Sequence, residues 1–102
     1  MIRLDPLEKK ALKSILYDIQ GDMYLFGSRT NPKKQGWDID ILIITNKINE
    51  QTLSFRIKLM SKFHLISEQK IDIIVFPTHM NESQQYFFNS LSKHKLWKRE
   101  LQ

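Results

Sequence analysis

Apolar residues near the N-terminus recur at helical spacing. Leu4, Leu7, Ala11, Leu12, Ile15, Leu16 and Ile19 fall on one side of a 3.6-residue spiral. Asp5 stands before Pro6, and Glu8 follows three residues after it, the signature of a capping box with proline at the first helical position. A helix is predicted from Pro6, with Gly21 as its stop. The short run Met23 to Phe26, closed by Gly27, reads as a buried strand. Ser28 to Gly36 is polar and contains Asn31-Pro32, so it reads as a loop or a broken helical turn. From Trp37 to Thr45 the period changes to two: Ile39, Ile41 and Ile43 share one face, and Asp38, Asp40, Leu42 and Ile44 share the other. Both faces are apolar beyond the aspartates, which predicts a central strand covered on both sides.

A second helix is predicted over Asn49 to His64, with Leu53, Ile57, Met60 and Phe63 or His64 as its inner stripe. Lys70 to Phe76 (KIDIIVF) reads as another buried strand, ended by Pro77. Glu82 to Arg99 reads as a third helix, packing through Phe87, Phe88, Leu91 and Leu96 and ending in the basic run KHKLWKR. Strands alternating with helices predict an α/β (α+β) fold, a small mixed sheet of three to four strands flanked by helices. The length of 102 residues predicts one domain, 1–102.

Composition removes several classes. With no cysteine there is neither a disulfide framework nor a zinc-thiolate site, which suits a reducing, cytoplasmic setting. MIRLDPLEKK lacks the apolar block of a signal peptide, and no apolar run is long enough to span a membrane. The net charge of +5 is either a lysine-rich solvated surface or an attraction to a nucleotide or polyanion. No nucleic-acid-binding motif accompanies it, so nucleic acid is not expected as a direct ligand. His64, His79 and His94 are too scattered to form a metal site.

The aspartates alter the picture. Asp38 and Asp40 share a strand face, with Cα atoms roughly 7 Å apart. Two ionised carboxylates on one face repel, and burying them without a counter-charge costs several kcal/mol. Asp72 is again an aspartate inside an apolar strand. If the two strands are neighbours, all three carboxylates face one point, and such hard oxygen donors suit Mg²⁺ or Mn²⁺.

Gly27-Ser28 closes one strand, nine residues intervene, and Asp38-x-Asp40 opens the next. Glycine there permits close backbone approach, and serine with neighbouring N–H groups can hold an anion. Together, GSRTNPKKQGWDIDILI and KIDIIVF resemble the signature of the DNA polymerase β-like nucleotidyltransferase superfamily, in particular its minimal nucleotidyltransferases. The resemblance implies that fold, with nucleotide phosphates at Gly27 and Ser28. Arg29 matches the nucleotide-binding pattern but is equally a surface salt-bridge residue. The resemblance further implies two metal ions, Mg²⁺ or Mn²⁺, on Asp38, Asp40 and Asp72, with Asp72 also helping to deprotonate an attacking hydroxyl. ATP is the implied substrate. Trp37 departs from the small residue many members carry at that position.

The same resemblance implies a partner. Minimal nucleotidyltransferases are often paired with small helical HEPN proteins as toxin–antitoxin systems, and in some pairs AMP is moved from ATP onto a tyrosine of the toxin. A hetero-oligomer with such a protein is therefore expected. The alternative is a non-catalytic antitoxin that neutralises its partner by contact. Trp97, among Lys95, Lys98 and Arg99, either packs on the sheet with its neighbours or forms part of a partner surface.

Overall fold

The computed structural model describes residues 3–30, 38–46 and 52–101. Trp37, Lys33 and Lys34 lie outside them, and of Ser28 only the backbone is described. The elements run α1 (Pro6–Asp18), β1 (Gly21–Phe26), a 3₁₀ turn (Gly27–Thr30), β2 (Ile39–Thr45), α2 (Thr52–His64) and β3 (Ile71–Phe76), followed by α3 (Glu82–Ser90), β4 (Lys93–Leu96) and a second 3₁₀ turn (Lys98–Leu101). The four strands form one mixed sheet in the order β3-β2-β1-β4. β1 is antiparallel to both β2 and β4, while β2 and β3 run parallel.

Alternation gives the sheet two unlike faces. Met23, Leu25, Ile39, Ile41, Ile43, Ile71, Ile73, Val75 and Leu96 point to one side, where they join Ala11, Leu12, Ile15 and Leu16 of α1 and Leu59 and Phe63 of α2 in the main core. The other face carries Tyr24, Phe26, Asp40, Leu42, Asp72 and Phe76. It is covered in part by α3, whose Phe87 meets Phe26 and Phe76 edge-on at 6.4 and 5.8 Å and whose Phe88 meets Tyr24 at 5.2 Å. No residue of α3 is itself buried, so this helix is a thin cover.

The N-terminal helix begins as its sequence dictates. Asp5 Oδ1 accepts the Glu8 N–H at 2.7 Å and Glu8 Oε1 accepts the Asp5 N–H at 2.9 Å, a complete capping box. Leu7, expected on the inner stripe, is exposed; Glu8 is buried in that region instead.

Two expectations need correction. The segment after Ser90 is not helical: α3 ends there, and Lys93–Leu96 pairs with β1 as an edge strand. Asn89, Ser90 and Ser92 are weak helix formers, whereas β1 presents an open edge whose N–H and C=O groups need partners. Lys93 Nζ then donates to the carbonyls of Phe88 and Leu91 at 2.8 and 3.4 Å, sealing the end of α3. In α2 the inner stripe is rotated. Leu59 and Phe63 are buried, with Phe55 and Met60 partly so, while Leu53 and Ile57 are exposed. The helix is described only from Thr52, so the part of the expectation on residues 49–51 lies outside the described residues.

Candidate active site

Parallel register sets the site. Asp40 on β2 lies opposite Asp72 on β3, and register partners on adjacent strands project to the same face. Asp38 lies just before β2, two residues before Asp40, near enough for its charge to act on that carboxyl. Asp38 and Asp72 are exposed and Asp40 is half-buried. The carboxyl of Asp40 is raised above its ordinary range, first by burial, then by the negative charges of Asp72 and Asp38. The charges of Asp72 and Asp38 therefore lie close enough to act on Asp40.

Gly27 closes the site from the end of β1. Phe26 is the register partner of Asp40, so the chain leaves β1 beside that carboxylate. Gly27 has φ = 76°, a region that side chains disfavour, and a β-carbon there would overlap Oδ2 of Asp40. Only glycine lets the turn fit against the acid. The 3₁₀ turn that begins at Gly27 and includes Ser28 thus starts beside Asp40.

Arg29 takes a different place from the one expected of a phosphate contact. It is buried, and its Nη1 and Nη2 donate to Oε1 and Oε2 of Glu8, each at 2.8 Å, in a bidentate fork. Nη1 also donates to the Arg3 carbonyl at 2.7 Å, while the Arg3 N–H donates to the Arg29 carbonyl at 3.1 Å. Both terminal nitrogens are engaged by protein. Arg29 ties the Gly-Ser turn to α1 and to the segment before it. Glu8 serves this strut and the helix cap with one carboxylate.

One residue of the site escaped the sequence reading. Lys70 Nζ lies 3.7 Å from Asp38 Oδ2, and both side chains are exposed. The Lys70 carbonyl also accepts the Ile39 N–H at 3.0 Å, which registers the two strands at this point. The signal was available, since Lys70 stands two residues before Asp72 and so on its face.

The donor set consists of three carboxylates, all hard oxygen ligands, crowded enough to raise one member's pKa. That chemistry fits a divalent cation such as Mg²⁺ or Mn²⁺. Among the described residues, no group of three or more His, Cys, Asp or Glu side chains is placed to hold a metal ion.

A mixed four-stranded sheet with acids on one face beside a strand–glycine turn defines a nucleotide-transfer fold, and the comparisons agree. Residues 8–98 match the family described as "Nucleotidyltransferase domain", and the chain belongs to that family. A crystal structure described as a "putative nucleotidyltransferase from Sulfolobus solfataricus" is similar with TM-score 0.55 and 23% identity over 96% of this chain and 92% of that one, a likeness of fold. Among curated proteins none matches. Among the described residues no helix is long and apolar enough to cross a membrane.

Proposed function

We propose that this chain is a metal-dependent nucleotidyltransferase that moves AMP, or another nucleoside monophosphate, from a triphosphate such as ATP to a hydroxyl of a partner protein. In the finer reading it is an antitoxin that inactivates a small helical HEPN RNase toxin by adenylylating a tyrosine, within a hetero-oligomer. The observation that carries the reading is Asp40 opposite Asp72, with Asp38 near enough to act on Asp40 and Gly27 against it. An exposed acceptor site supports a protein substrate: β3 is an edge strand and Asp72 is open to solvent, so a side chain on a large partner can reach it.

The reaction balances simply. The acceptor oxygen bonds to the α-phosphorus, the bond from that phosphorus to the bridging oxygen breaks, and pyrophosphate leaves. Asp38, Asp40 and Asp72 would hold the divalent ions, which when bound supply positive charge to the phosphates and to the attacking hydroxyl. Asp72, the exposed member of the facing pair, accepts the hydroxyl proton. Backbone N–H groups of the Gly27–Ser28 turn hold phosphate oxygens, and Arg29 with Glu8 keeps that turn in place. Lys70 adds a cation at the rim beside Asp38.

Label transfer tests the reading. The protein, its partner and Mg²⁺ are incubated with ATP labelled at the α- or the γ-phosphate. The proposal expects α-label on a partner tyrosine, no γ-label, and none of either with Asp40→Asn. Transfer of γ-label, or equal transfer by Asp40→Asn, contradicts it. Neutralisation of the partner by Asp40→Asn without label would instead favour inhibition by contact.

A further inference from the structure

A second surface lies away from the aspartates, along the seam where the second 3₁₀ turn packs on α1. A groove of ≈ 560 Å³ opens at one end, floored by Leu16 and Leu96 and rimmed by Lys95, Trp97, Lys98 and Arg99. At the other end Lys9, Lys10 and Lys13 line a hollow of ≈ 300 Å³ that reaches Leu101. Tyr17 joins the two, with Lys13 Nζ 5.9 Å and Lys98 Nζ 4.5 Å from its ring centroid. The helix between Pro6 and Tyr17 makes the seam about 16 Å long.

The charge of the chain is concentrated there. Six cations line the two hollows against one carboxylate, Asp22, which pairs with Lys95 at 3.4 Å. Glu100, the acid within the turn, is directed back to His94 Nε2 at 2.9 Å and the Trp97 N–H at 3.1 Å. Among the described residues, Lys9, Lys10, Lys13, Lys98 and Arg99 have no carboxylate within ion-pair distance. Two aromatic rings are interleaved with these cations: Tyr17 and Trp97 are 56% and 49% exposed.

We propose that this seam binds single-stranded nucleic acid, its cations tracking the phosphates and its rings and apolar floor receiving unpaired bases. A line of cations interleaved with half-exposed aromatics is the arrangement such ligands select. An acidic protein segment would be served by the cations alone and gives no reason for the two rings. The groove at the Trp97 end of the seam lies at the Gly21 end of β1, whereas the aspartates lie at the Gly27 end.

The test uses a fluorescein-labelled single-stranded 12-nucleotide RNA and fluorescence anisotropy on the intact chain. Affinity is expected to fall with salt at a slope of about −0.7 per phosphate contacted. The triple variant Lys13→Glu, Lys98→Glu, Arg99→Glu should lose at least roughly tenfold in affinity and show a shallower slope. Tyr17→Ala should weaken single-strand binding while leaving the slope unchanged. Asp40→Asn should bind as wild type. Equal binding by the triple variant with its native circular dichroism retained overturns the proposal. So does affinity insensitive to salt, or an equally charged poly-glutamate peptide displacing the RNA from the seam at matched concentration.

Discussion

Replacing Asp40 with asparagine should make the ligand-free protein more stable. Asp40 has no hydrogen bond or ion pair of its own among the described residues, so the substitution forfeits none. It removes a half-buried charge that faces Asp72 across neighbouring strands, which lie about 4.8 Å apart. Two unit charges about 5 Å apart repel by about 0.8 kcal/mol in water and about 3 kcal/mol at an effective dielectric of 20. Asp72 is exposed, so the value belongs near the aqueous end, at about 1 kcal/mol. For a chain of this size that is an increase in Tm of about 4–8 °C.

The pH dependence of this gain follows from the direction of the shift. Asp40 holds its proton more tightly when folded than when unfolded, so between the two pKa values the native state binds more protons and stability falls as pH rises. Above that window the cost of ionising Asp40 is fully present, and Asp40→Asn relieves it. Below about pH 3 both states of the wild type carry the proton, and the two proteins should coincide. Thermal melts in metal-free buffer at pH 7 and near pH 3 measure this. A variant that melts at or below the wild type at pH 7, or one whose advantage persists undiminished in acid, would refute the reasoning that burial and the neighbouring carboxylates penalise the charge of Asp40.

Glu8→Ala should cost about 3–5 kcal/mol in urea denaturation, because it strands the buried guanidinium of Arg29, and the paired change Glu8→Leu with Arg29→Met should recover much of that. Gly27→Ala should cost about 1–3 kcal/mol from its positive φ alone, and pairing it with Asp40→Asn should leave that part of the loss in place, as the same denaturation shows. In native-state hydrogen exchange the amides of α3 should open at lower free energy than those of α1, since α3 buries no residue; equal protection would contradict its description as a thin cover.

The site was legible because a strand has a rigid period of two. An aspartate among isoleucines at alternate positions can point only to one face, and the pairing of β2 with β3 then sets Asp40 opposite Asp72. The capping box at Asp5 and Glu8 was equally local and equally readable. What sequence concealed depended on distant partners. Glu8 was readable as a cap, but its second partner lies 21 residues away, so the strut to Arg29 was invisible. KHKLW carries helix-tolerant lysines, and only the open edge of β1 decides that it pairs as β4. The stripe of α2 was misplaced because Leu53, Ile57, Leu59 and Phe63 allow two overlapping apolar faces, and contact with α1 and β3 selects the one through Leu59 and Phe63.

The central claim is that Asp38, Asp40 and Asp72 act together on a divalent cation. Calorimetric titration of Mn²⁺ into the wild-type protein, with a non-hydrolysable ATP analogue present, tests it most directly. The account predicts saturable binding that weakens by roughly tenfold or more in both Asp40→Asn and Asp72→Asn, because each loses one charged oxygen ligand. Mn²⁺ affinity unchanged in either variant would contradict it.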